Sequence, residues 1–127
     1  MKLVVAKLVT LGLLIFYLGC EPPTTSLTGE WDCNIVGPSG PSSARMQLTE
    51  NSGQITGTFK WDNHNLNLQI NGTVNSKRQV NMETQDTTHR IILGLRALNE
   101  DTYLEGSLAY YENNIWIDGG GFDANKR

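Results

Sequence analysis

Few side chains in this 127-residue chain have the chemistry for catalysis or ligation: two histidines, His64 and His89, two cysteines, and scattered carboxylates. Histidines near Asp62 and Glu112 are raw material for a metal site or for proton transfer, because imidazole nitrogen and carboxylate oxygen serve both purposes. The spacing supports neither. No tight ligand interval, Gly-x-Ser-x-Gly elbow, thiol beside a histidine or phosphate loop occurs. Gly119-Gly120-Gly121 lacks the following helical pattern that a phosphate cradle requires, and reads as a bend or a flexible point. The sequence therefore predicts a non-enzyme, with no catalytic residue, no metal and no cofactor. Recognition remains. Trp61, Tyr110 and Tyr111 are rings of the type that dominate interface energetics, and with His64 and His89 they form the candidate binding set.

The elements that must position these residues have a period of two. Leu66, Leu68 and Ile70 alternate with Asn65, Asn67 and Gln69, as a half-buried strand should. Trp31-Cys33-Ile35, Met46-Leu48, Phe59-Trp61, Val80-Met82 and Leu104-Leu108-Tyr110 keep the same alternation, whereas Ile91-Ile92-Leu93 and Ile115-Trp116-Ile117 blur it. Turn-forming clusters lie at 37–41, 51–53, 62–65, 75–77, 85–88, 99–101 and 112–114, so seven turns separate eight strands. Asn71-Gly72 is a hairpin dipeptide, yet Leu66 through Val74 hold one face, so this strand is expected to run on to Asn75.

Four units of the form apolar-polar-Gly-polar-apolar, centred on Gly29, Gly57, Gly72 and Gly106, place glycine on an inner face where backbones approach closely. Eight short antiparallel strands with tight turns predict an all-β domain, a small up-and-down β-barrel whose closure removes the sheet edges. A two-sheet sandwich is the alternative. In the barrel, alternate loops share an end. Asp62, His64, His89, Tyr111 and Glu112 then gather beside Trp61 and Tyr110, opposite the end where the chain enters its first strand.

Residues 1–19 hold Lys2, Lys7 and no acid, with an apolar run from Leu8 to Leu18, the layout of a signal peptide and too short to span a bilayer comfortably. Phe16-Tyr17-Leu18-Gly19-Cys20 resembles the lipobox of bacterial lipoproteins, with Tyr17 where leucine is usual. The resemblance implies cleavage after Gly19 and lipidation of Cys20. It also implies a membrane partner through that palmitate-type anchor, and a place in the cell envelope, at the outer membrane or cell surface. Residues 20–26, with Pro22 and Pro23, then form a short stiff tether, and 27–127 the barrel domain. With Cys20 lipidated, Cys33 has no disulfide partner. The 108 residues after the leader carry 8 basic and 13 acidic groups. That is one domain, too small for a dinucleotide fold, and too acidic to expect nucleic acid as a partner.

Ser26-Leu27-Thr28-Gly29-Glu30-Trp31, followed by Gln54-Ile55-Thr56-Gly57-Thr58-Phe59, resembles the opening of avidin and streptavidin. Gly29-x-Trp31 is similar to the signature of the wider lipocalin and avidin (calycin-type) superfamily. The resemblance implies that Gly29 and Trp31 are structural and that Trp31 closes one barrel end. It further implies that a basic side chain of the last strand, Lys126 or Arg127, packs over that ring. The biotin ligands do not carry over. Cys33, Phe59 and Trp61 stand where avidins have an asparagine, a tyrosine and a small polar residue, so the polar groups that hold a ureido ring are absent and biotin is not expected.

Inward positions are almost wholly apolar: Trp31, Cys33, Ile35, Met46, Leu48, Phe59, Trp61, Leu66, Leu68, Met82, Leu104 and Leu108. Two readings follow. Such a lining makes a pocket for a small apolar ligand, or an eight-stranded barrel is filled by its own side chains. The expected function is a membrane-anchored, non-catalytic lipoprotein that binds a small apolar molecule or an envelope protein. The alternative is a structural or inhibitor-like surface protein with a filled core.

Overall fold

The computed structural model describes residues 25–127. The signal-like segment, Cys20 and most of the tether lie outside the described residues. Eight strands follow one another: β1 (Gly29–Gly37), β2 (Gly40–Asn51), β3 (Gln54–Trp61), β4 (Leu66–Val74), β5 (Gln79–Thr84), β6 (His89–Leu98), β7 (Tyr103–Glu112) and β8 (Ile115–Lys126). Each pairs antiparallel with the next, and β8 returns to β1 with Trp31 opposite Lys126. This is a closed up-and-down barrel and not a sandwich. Closure leaves no strand edge unpaired, which is how so short a chain satisfies its backbone without a second layer.

The turns fall where turn-forming residues stand. Asn113 and Asn114 join β7 to β8 with φ of 50° and 67°, the doubly left-handed geometry of a type I′ hairpin, which asparagine tolerates. Between β3 and β4 a single 3-10 turn, Asp62–His64, is closed by Asn65 at φ 55°. Asn71-Gly72 makes no turn and lies inside β4. The glycine there serves a close approach: a Cβ on Gly72 would sit 1.9 Å from the carbonyl oxygen of Asn81, and one on Gly57 1.9 Å from that of Gln47. Any side chain at these two points would push neighbouring strands apart, so glycine lets the sheet curl tightly.

The two blurred segments have different causes. In β6, Ile91 and Leu93 are buried and Ile92 lies half-buried on the outer wall, so the alternation persists with an apolar outer residue. In β8 the register slips between Tyr110 and Tyr111, leaving Ile117 without a cross-strand partner. This β-bulge turns both Trp116 and Ile117 to the outside, where they are 48% and 39% exposed. Gly119-Gly120-Gly121, expected as a bend, runs through the middle of β8 as strand.

The interior is packed. Trp31, Ile35, Met46, Leu48, Phe59, Ile70, Val80 and Leu93 are each at most 2% exposed, and Leu68 is partly buried against them. Grooves of about 600 and 350 Å³ lie on the outer wall, lined by outward residues such as Arg96 and Glu105 in the first, and Arg45 and Lys60 in the second. Among the described residues no helix is long and apolar enough to cross a membrane.

Candidate functional site

The first, third, fifth and seventh turns share one end of the barrel, and there the structure assembles a polar cluster over two aromatic rings. Trp61 ends β3 and Tyr110 lies near the end of β7, both pointing inward. Their rings are 5.9 Å apart, and the His64 imidazole covers them at 4.4 Å from Trp61 and 5.1 Å from Tyr110. Trp61 and Tyr110 are fully buried. This corrects the expectation of an aromatic binding rim: the two rings plug the barrel, because strand parity aims them inward and the Asp62–His64 turn folds over them. Each keeps its polar atom satisfied. The Trp61 indole N–H donates to Ser42 Oγ at 3.0 Å, and the Tyr110 hydroxyl donates to Glu112 Oε2 at 2.7 Å. Burial, and then the Glu112 carboxylate, push the Tyr110 phenol well above its ordinary range.

Asp118 completes this end, and no periodicity in the sequence marked it. Its side chain is 8% exposed. One oxygen, Oδ2, lies 2.9 Å from His64 Nε2 and accepts from Ser39 Oγ at 3.0 Å, while Oδ1 accepts the Gly119 N–H at 2.8 Å. Burial works to raise the carboxyl, but the hydrogen bonds from His64, Gly119 and Ser39 outweigh it and hold Asp118 below the usual carboxylate range. The arrangement is a satisfied buried anion. The Ser39 hydroxyl is bonded to the carboxylate and not to an imidazole, so the cluster lacks the nucleophile–base contact of an activated serine.

His89 stands apart from His64. It lies 3.6 Å from Asp86 and 3.9 Å from Glu112, on the exposed rim of the same end. The Asp86 carboxyl accepts the N–H groups of His89 and Thr88, which hold it below its ordinary value. Tyr111 is on the outer wall beside Arg90 and Trp116, away from the cluster. Of the five predicted binding residues the structure therefore joins Trp61, His64 and Tyr110, places His89 next to them through Glu112, and separates Tyr111. Among the described residues no three His, Cys, Asp or Glu side chains gather where they could hold a metal ion.

The opposite end, where the chain enters β1, is also sealed. Trp31 is fully buried and its indole N–H donates to the Leu27 carbonyl at 3.0 Å. Lys126 reaches over the ring, its Nζ 5.5 Å from the centroid, and donates to the Ser26 carbonyl. The basic lid is Lys126 and not Arg127: Lys126 pairs directly with Trp31 and shares its face, so Arg127, one residue on, turns outward to Asp32 and Glu30. Gly29 lies beside that lid, where a Cβ would come 3.4 Å from Lys126 Cδ. Nearby, Arg78 donates to Asp101, which is 3% exposed, and reaches Glu50 at 3.4 Å. Glu50 in turn accepts the Leu27 N–H. This network ties three turns together across more than twenty residues of sequence, a contact that sequence patterns do not carry.

Cys33 is 2% exposed inside the wall. Burial, with the charges of Asp32 and Asp123, pushes its thiol up to about 12, so at neutral pH it behaves as a small hydrophobe and not as a nucleophile. The class defined by these features is a closed eight-stranded antiparallel barrel, filled inside and sealed at both ends. In comparison with known proteins, no family model and no curated protein matches the chain.

Proposed function

We propose that this chain is a lipid-anchored, non-catalytic protein of the bacterial cell envelope whose barrel acts as a solid body, engaging a protein partner through its outer surface. The observation that carries this reading is the filled, doubly sealed interior. A small apolar ligand would have to displace the Trp61–Tyr110 plug or the Trp31–Lys126 seal. The rim around His64, His89 and Glu112, with Ile115 66% exposed, offers mixed polar and apolar contacts of the kind protein interfaces use. The anchor rests on Lys2, Lys7, the apolar run and Gly19-Cys20. The Trp31–Lys126 stacking, at the position the Gly29-x-Trp31 resemblance implies, supports kinship with calycin-type barrels.

The test is Cys20→Ala. In the native host, the wild-type chain should incorporate an alkyne-tagged fatty acid and sediment with membranes. The variant should lose the label and move to the soluble fraction. Equal labelling and equal membrane retention would overturn the anchored reading.

A further inference from the structure

Large apolar side chains left in water, Val36 (59% exposed), Trp116 (48%) and Ile117 (39%), lie on the wall where β8 runs between β7 and β1. Because paired residues of neighbouring strands share a face, this wall is ordered in rows. Arg90, Tyr111 and Trp116 form one row, Ile92, Ala109 and Gly119 the next, and Gly94, Ser107 and Gly121 a third. The first row carries the long side chains, Trp116 48% exposed and Arg90 and Tyr111 beside it. The third is hollow at Gly94 and Gly121, which with Val36, Arg96, Glu105 and Asp123 line the groove of about 600 Å³. Nothing inside the barrel demands that hollow. A Cβ on Gly94 or Gly121 would meet no atom within 4 Å, and neither glycine has a positive φ.

We infer that this wall is a self-complementary interface, and that its occupant is a second copy of this chain. A two-fold axis along the middle row carries the raised row of each copy into the hollow row of the other, since the two lie equally far from it in the β7 register. Raised and hollow features on one surface are what a closed isologous contact requires. Parallel pairing would set Trp116 against Trp116, so the pair is antiparallel. On the axis Gly119 is buried in the wall and Ile92 and Ala109 are half-buried, so no fully exposed side chain of this row holds the two sheets beyond their usual spacing of about 10 Å. Arg90 is paired with Glu83 at 3.1 Å and Arg96 with Glu105 at 2.8 Å within each chain, and Asp123, which also lines the groove, accepts from Asn34 at 3.1 Å. Four strands about 4.8 Å apart and about seven residues long give a footprint on the order of 450 Å². At about 900 Å² over the two faces, such a contact belongs with weak, transient interfaces, so association is expected to depend on concentration. This inference is independent of the membrane anchor.

The barrel closes and seals within residues 25–127, so that segment, purified without the leader, is the material for sedimentation equilibrium. The measured mass should rise from monomer to dimer between about 1 and 500 μM. Trp116→Lys and Gly121→Arg should each stay monomeric throughout this range, the second with an unchanged thermal midpoint, since a side chain at Gly121 enters open space. A wild-type chain that stays monomeric at every concentration overturns the inference, and so does a dimer that survives both substitutions. So does a monomer whose Trp116 emission shifts blue on adding phosphatidylglycerol vesicles, which would assign the wall to a membrane. Trp31 and Trp61 are buried, so that emission change reports the wall.

Discussion

Replacing Trp61 by alanine removes the largest piece of the plug at the end opposite the entry into β1. The ring is fully buried, lies 6.1 Å from Phe59 and 5.9 Å from Tyr110, and is covered by His64. Its loss combines transfer of a large aromatic side chain to water with a void that a closed barrel cannot collapse, a sum of about 3–5 kcal/mol. Losing the 3.0 Å bond to Ser42 adds little, because Ser42 is partly exposed and regains water. For a barrel of this size, a loss of about 4 kcal/mol lowers Tm by roughly 15–30 °C. Urea denaturation followed by far-UV circular dichroism measures it. Trp61→Phe, which keeps most of the ring and loses the indole bond, should cost only about 1–2 kcal/mol. Indole added to Trp61→Ala should refill the void and raise the midpoint with its concentration. A loss under about 1 kcal/mol would refute the plug, because it would mean the ring is accessible to water in the folded chain.

Asp118→Asn should cost about 1–2 kcal/mol at pH 7 by weakening charge-assisted bonds. Because the folded carboxyl lies below its unfolded value near 3.9, wild-type stability from this group is present above that pH and lost as pH falls through the folded value. Urea midpoints below about pH 4 should therefore decline less steeply in the variant. Arg78→Ala leaves Asp101 buried without its cation, and equilibrium unfolding should register about 2–3 kcal/mol, less than a fully buried pair because Arg78 is partly exposed. For Cys33, the folded thiol at about 12 lies above its ordinary value of about 9. The stability it contributes is complete below the ordinary value and is lost as pH rises toward the folded one. Wild type should thus lose more stability than Cys33→Ala between about pH 9 and 11, and iodoacetamide at pH 8 should label Cys33 only as fast as the chain opens.

Strand count, turn positions and closure were legible because each rests on local chemistry: alternation around Leu66–Ile70, paired asparagines at 113–114, and an unbroken face through Gly72. The Trp31 seal was legible as a position, while its lid was resolved only by register, since one residue separates inward Lys126 from outward Arg127. The plug was not legible as such. Trp61 and Tyr110 sit at strand ends, where alternation says inward but not whether anything covers them, and the cover comes from His64 bound to Asp118, 54 residues away. Asp118 and Asp101 look like ordinary turn or strand-end acids until distant partners bury them. Likewise, Ile115-Trp116-Ile117 blurred its pattern because a bulge adds one residue, which no composition rule locates.

Native mass spectrometry of protein purified from its own host in a mild detergent tests the proposal of a lipid-anchored barrel that holds nothing inside and works from its surface. The prediction is a chain beginning at Cys20, heavier by a covalent lipid and free of any non-covalent small molecule. A chain without covalent lipid, or one that retains an apolar molecule released only on unfolding, would contradict it.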